Sequence, residues 1–292
     1  MRVIVNAESM MAMSHDSNNR AWRDGRVTQE ELKAKVLATQ LQGVGLKAFL
    51  CPGHANGISI FEEHRHAAEY EIYPVLLNAS NYSRDMQQLG MVRFAWKQFR
   101  QLGIKNLLGI ITIGIRHPRP ILMRDFRYAS MLLAAMEIAK FKMFHPRVVF
   151  LHPQITDLAL ANGNKDFFKL FANFVRGKYR AEAGLITNNL GFLLEKLEDW
   201  DIDVTHVVGP VNRQGYHMKP DQQRCEKLIL NTNRVVVATE VTPSAIPSED
   251  DLEYLRRLNI SSLVVQLDNI PDAIKLIESI EQKQNDRKCV NG

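Results

Sequence analysis

The second half of the chain repeats one pattern: a short apolar run stops at a few polar residues, and a helix-like stretch follows. The runs are 148–151, ended by His152-Pro153; 183–186, ended by Thr187-Asn188-Asn189; 207–211, ended by Asn212-Arg213; and 235–239, ended by Glu240. A fifth run, 263–267, ends at Asp268-Asn269. Uninterrupted apolar runs of this length belong to parallel strands, whose two faces are both covered by helices. In α/β barrels the chemistry gathers at the C-terminal ends of such strands. The pattern therefore predicts a fold and a face, but not a reaction.

The first half adds apolar runs at 2–6, 48–51, 72–77 and 107–113. Helices are expected at 61–70, 86–102 and 128–144, the last apolar nearly all round. Thr28 and Glu31 form a capping box ahead of another helix. Residues 8–26 show no period and are expected to form a long loop. Downstream, helices are expected at 167–175, 191–200 and 221–230, after a second capping-box start at Ser248-Glu249-Asp250-Asp251, and from about Asn269. Alternating strands and helices predict a parallel sheet. Nine candidate strands are one more than a closed barrel takes, so one of the first four is expected to lie outside it. An open doubly wound sheet would call for a G-x-G-x-x-G turn after a strand, and none is present. The expected fold is α/β, a (β/α)8 TIM barrel, as a single domain over residues 1–281, with a polar tail at 282–292.

Charge and cysteine usage narrow the setting. The 37 Lys and Arg against 32 Asp and Glu leave +5, intermixed rather than gathered in a basic stripe, so no nucleic-acid partner is expected. Three cysteines, odd in number and far apart, argue against a disulfide framework and for a reducing, cytoplasmic location. No apolar run approaches the roughly 18 residues of a membrane span. The expected partner is a small-molecule substrate; the sequence leaves the oligomeric state open.

The strand ends supply the candidate site residues. His152 is suited to acid/base work or to binding a substrate oxygen; as a structural histidine it would bond a loop carbonyl. Glu240 closes an apolar strand, where a carboxylate is costly unless paired, hydrated or ligand-bound, and Glu8 is its counterpart after the first strand. The amides of Asn188 and Asn189 both donate and accept, which suits substrate carbonyls or carboxamides; Asn189 is equally suited to cap the next helix. Asn212 and Arg213 close the third run, and an Arg there can hold a carboxylate or phosphate in a fork. The loop that follows, Gln214 to Pro220, is polar with several donors. No dense ligand spacing points to a metal.

Three segments resemble the C-terminal half of an aldo-keto reductase barrel. They are Val149-Phe150-Leu151-His152-Pro153, Gly177-Lys178-Tyr179-Arg180 leading into Ala183-Gly184-Leu185-Ile186-Thr187-Asn188-Asn189, and Val235-Val236-Val237-Ala238-Thr239-Glu240 with Pro243. The resemblance implies an oxidoreductase acting on a carbonyl, with an NADP cofactor, His152 at the carbonyl, Asn188 on a substrate or cofactor amide, and Arg213 on an anionic group. The Asp, Tyr and Lys that this family uses beside its His have no counterpart here: Cys51-Pro52-Gly53-His54 stands after the second run, and Asn78 after the third. Two other readings remain open. One is a lyase or isomerase using Glu8, His152 and Glu240 as acid/base groups without nicotinamide. The other is a non-catalytic barrel that binds a ligand or a partner.

Overall fold

The computed structural model describes residues 1–6, 48–52, 71–79, 126–242 and 247–266. Eight strands close into a parallel barrel in chain order: β1 (Arg2–Asn6), β2 (Ala48–Pro52), β3 (Glu71–Leu76), β4 (Val148–Leu151), β5 (Glu182–Ile186), β6 (His206–Pro210), β7 (Val235–Thr239) and β8 (Ser262–Gln266). The protein is a (β/α)8 barrel. Pairing of β8 with β1, from Arg2↔Ser262 to Asn6↔Gln266, completes the ring. Strand β3 pairs directly with β4. The barrel therefore closes without the run 107–113, which is the surplus ninth candidate and lies outside the described residues.

Alternation along each strand sorts the apolar residues into two sets. Ile4, Leu50, Tyr73, Val75, Phe150, Val208 and Val237 form a cluster that fills the barrel. Their neighbours Val5, Phe49, Cys51, Leu76, Val149, Leu185, Val207, Ala238 and Leu263 belong to a second cluster, which also holds the buried faces of the described helices. This two-sided burial is why the strands read as unbroken apolar runs. Gly184 makes room for the largest filler: a Cβ there would come within 2.4 Å of the Phe150 ring.

Six described α-helices surround the strands: α1 (Phe126–Lys140), α2 (Pro153–Ala161), α3 (Lys165–Tyr179), α4 (Leu190–Asp199), α5 (Gln222–Asn231) and α6 (Glu249–Arg257). Two helices, not one, join β4 to β5. They are divided at Gly163, whose φ of 59° no β-carbon hinders. Helix α1 ends at Lys140 and continues as a short 3-10 turn, Lys142–Phe144. The expected capping box of α6 is present, with Ser248 Oγ accepting from the Asp251 N–H at 3.2 Å and Asp251 Oδ2 accepting from the Ser248 N–H at 3.0 Å. The capping box at Thr28, the loop 8–26, the helices at 61–70 and 86–102, the last helix and the tail lie outside the described residues.

Polar side chains close the N-terminal end of the barrel. Arg2 pairs with Glu71, and the Tyr73 hydroxyl donates to Glu71 Oε2 at 2.8 Å. On the opposite wall, His206 Nδ1 lies 3.2 Å from Glu182 Oε2 and 2.8 Å from Thr205 Oγ1, and the imidazole meets the Phe150 ring edge-on. Burial pushes the His206 imidazole below its ordinary value of 6.5, and Glu182 offsets only part of that. Below pH 6.5 the unfolded chain therefore binds a proton at this site that the folded chain resists. Stability from this group is complete above 6.5 and falls as the pH drops from 6.5 through the lower folded value. Replacing His206 by Asn is expected to flatten the pH dependence of the thermal midpoint over that range. An unchanged slope would mean that His206 is not the responsible group.

Candidate functional site

At the C-terminal end of β4, His152 is the N-cap of α2. Its Nδ1 accepts from the Gln154 N–H at 3.3 Å, and its backbone N–H donates to the Leu76 carbonyl at 2.9 Å. The side chain is buried, at 6% exposure. Pro153 stands at the first helical position, where its missing N–H costs nothing. The structure thus places His152 in the wall of the barrel as a capping residue.

After β5, Asn188 is exposed but held. Its backbone N–H and its Nδ2 both donate to Asp157 Oδ2, at 3.1 and 3.0 Å, while the Thr187 hydroxyl donates to Asp157 Oδ1. Asp157, on α2, is a partner that no sequence spacing announced. Asn189 occupies the N-cap position of α4, as its placement predicted, yet its side chain makes no capping bond. The Thr187 hydroxyl oxygen accepts the Asn189 N–H instead, at 2.9 Å.

Among the described residues on this face, the loop from β6 to α5 carries the densest polar structure. Asn212 is 1% exposed. Its Oδ1 accepts from the Tyr216 N–H at 2.8 Å and its Nδ2 donates to the Tyr216 carbonyl at 2.7 Å. Arg213 reaches to the start of α6, with Nη1 donating to Asp250 Oδ2 at 2.7 Å and Nε 3.7 Å from Asp251 Oδ1. That Asp251 oxygen is buried and makes no hydrogen bond. Below the loop, the Tyr254 hydroxyl donates to Glu226 Oε1 at 2.7 Å and accepts from Gln222 Nε2 at 3.1 Å. Burial, then the bond to Glu226, hold the Tyr254 phenol above its ordinary value. Cys225 lies under the same loop, its Sγ 3.2 Å from the Lys219 carbonyl, and burial raises its thiol to about 11. Gly191 permits this close packing of α4 on the loop, since a Cβ there would sit 2.6 Å from the Lys219 carbonyl oxygen.

Glu240 follows β7 directly. It is half-exposed, and its Oε2 lies 2.7 Å from His217 Nδ1 in the β6–α5 loop. The expected cost of a carboxylate at a strand end is met here by water on one side and an imidazole on the other. An ionised carboxylate only accepts hydrogen bonds, so the bonded Nδ1 carries the proton. In the neutral ring the lone pair is then on Nε2, pointing away from Glu240. The Tyr216 ring stacks on the imidazole, centroids 3.7 Å apart, and Tyr216 itself is 61% exposed.

Both partners have left-handed backbones, φ 56° at His217 and 51° at Glu240. Seven described non-glycine residues have positive φ. His145 and Arg180 are C-caps, and Asp201 and Asn259 lie just past the ends of α4 and α6; a left-handed residue there is routine. Leu77 follows β3, its N–H bonded at 2.6 Å to the buried Glu137. His217 and Glu240 have no helix end to account for them. Backbone strain of this kind costs about 1–3 kcal/mol per residue and concentrates at functional sites.

Sequence reasoning placed Glu240 at this face but not its partner. The signal lay in strand order: consecutive parallel strands are neighbours, so the segment after 207–211 must border the residue after 235–239. Glu8 lies outside the described residues. Among the described residues no group of three or more His, Cys, Asp or Glu side chains is arranged to hold a metal ion, and no helix is long and apolar enough to cross a membrane.

No family model matches the chain, and no curated protein matches it. Among solved structures, the N-acetylmannosamine-6-phosphate 2-epimerase from Clostridium perfringens is similar at a TM-score of 0.44 and 12% identity, over 98% of this chain and 92% of that one. A likeness of that size assigns no chemistry. The barrel is established by the strand pairing itself.

Proposed function

We propose that the protein is a small-molecule enzyme that moves a proton without nicotinamide, as an isomerase or lyase does. His217 Nε2 is the base, Glu240 orients it, and Arg213 meets an anionic group of the substrate. The 2.7 Å contact between two left-handed residues, His217 in the β6–α5 loop and Glu240 at the end of the adjacent strand β7, carries this reading. A carboxylate on Nδ1 holds the ring in one tautomer and stabilises the imidazolium formed when Nε2 takes a proton, the logic by which carboxylate–histidine pairs serve as bases. The Arg213–Asp250 pair is an exposed one, with Asp250 72% exposed; such pairs contribute about 0–1 kcal/mol, so a phosphate or carboxylate can take the place of Asp250 at little cost while Nε stays beside the buried Asp251. The strand-end residues that the reductase resemblance singled out lend less support: His152 is engaged as a buried cap and Asn188 is held by Asp157.

Calorimetric titration separates the two chemistries. The proton-transfer reading expects phosphorylated or carboxylated carbonyl compounds to bind, with affinity lost in Arg213→Met, and no binding of NADPH or NADH up to millimolar concentration. Micromolar binding of either dinucleotide would favour the carbonyl reductase instead.

A further inference from the structure

We propose that Asn212 is a positioning residue, which sets the direction of the His217 imidazole without touching the substrate. The inference rests on His217 being the base. Asn212 is buried at the end of β6, and its carboxamide bonds both backbone groups of Tyr216, the residue before His217, at 2.8 and 2.7 Å. The residue after His217 is fixed as well. Met218 is 3% exposed, its N–H donates to the Gly215 carbonyl at 3.2 Å, and the Asn212 N–H is directed at its sulfur, 3.5 Å away. The Asn212 carbonyl accepts from the Gly215 N–H at 3.2 Å, which completes a closed loop.

His217 is therefore clamped on both sides, and its left-handed φ is imposed by the loop rather than chosen locally. A carboxamide carries its acceptor and its donor on separate atoms, so it can accept from the N–H and donate to the carbonyl of the same residue. Aspartate keeps the acceptor but sets oxygen against the Tyr216 carbonyl; alanine loses both bonds. Gly215 contributes a second constraint: its φ is 69°, and a Cβ there would meet Gln222 Oε1 at 2.9 Å. Gln222 in turn donates to the Arg213 carbonyl at 3.2 Å, which ties the loop to α5.

The test is the imidazole 15N spectrum of the full-length 15N-labelled protein, at a pH where His217 is neutral. Its signals are assigned by their loss in His217→Gln. The wild type is expected to show one tautomer, with Nδ1 protonated and Nε2 bare. Asn212→Ala and Asn212→Asp are expected to give a mixture of tautomers in a protein whose remaining spectrum is unchanged. Should Asn212→Ala fail to fold, Asn212→Asp and Gly215→Ala carry the same test. A folded Asn212→Asp variant with His217 still in one tautomer would overturn the proposal. If the wild type already shows mixed tautomers, or Glu240→Gln leaves the spectrum unchanged, the pairing itself fails and the positioning role falls with it.

Discussion

Replacing His217 by Gln is expected to lower turnover by about 10²–10⁴-fold, the contribution of a positioned general base, while leaving the thermal midpoint nearly unchanged. The two effects separate because the side chain is 46% exposed and its ion-pair partner, Glu240, is 42% exposed. Exposed pairs contribute little to stability. Glutamine fits the space but has no nitrogen lone pair able to take a proton. Glu240→Gln is expected to lose less, because the imidazole remains and only its tautomer and its charge stabilisation are disturbed. The double variant is expected to be no slower than His217→Gln, since residues that act as one unit are not additive. Loss of activity accompanied by a large fall in the thermal midpoint would mean that the pair is structural.

The largest expected effect on stability lies far from that face. Phe171 on α3 is fully buried, in a row with Phe167, Phe168, Ala172 and Val175. This helix packs its buried face against the outer side of the barrel, within the same core as Ala183 and Leu185. Phe171→Ala removes a fully buried ring from a core that includes residues of the closed sheet, whose hydrogen-bonded strands resist collapse into the space. Core Phe→Ala changes cost about 3–5 kcal/mol, and this one is expected near the upper end. Denaturant unfolding checks it: the midpoint should fall at an unchanged slope. A loss under about 1 kcal/mol would show that the helix seats loosely on the barrel.

The barrel was legible in the chain because both faces of every strand are buried. Residues such as Val149 and Phe150 belong to opposite clusters yet are both apolar, so the strand reads as a run and its end is marked by the first polar residue. Boundaries drifted by one residue where that marker was ambiguous. His206 begins β6 because its imidazole is half-buried beside Phe150, a tertiary reason that no local pattern carries. The two-helix connection between β4 and β5 went unseen because Pro153 and Gly163 punctuate at positions that also suit loops.

The site was legible in part. Strand ends were found, but which of their polar residues face outward for chemistry depends on partners distant in sequence. Asp157 lies 31 residues from Asn188, and His217 lies 23 from Glu240. Asn212 illustrates the same gap. Its amide suits a ligand, and nothing in the sequence says that the backbone of Tyr216 takes both its bonds.

The most direct test of proton transfer at this face is deuterium uptake. The protein would be incubated in heavy water with a pool of phosphorylated and carboxylated carbonyl compounds, and the pool read by mass spectrometry. With His217 as the base, at least one compound gains carbon-bound deuterium with no added nicotinamide, and the gain disappears with His217→Gln. Carbonyl reduction that consumes NADPH, with no deuterium gained in its absence, would contradict it.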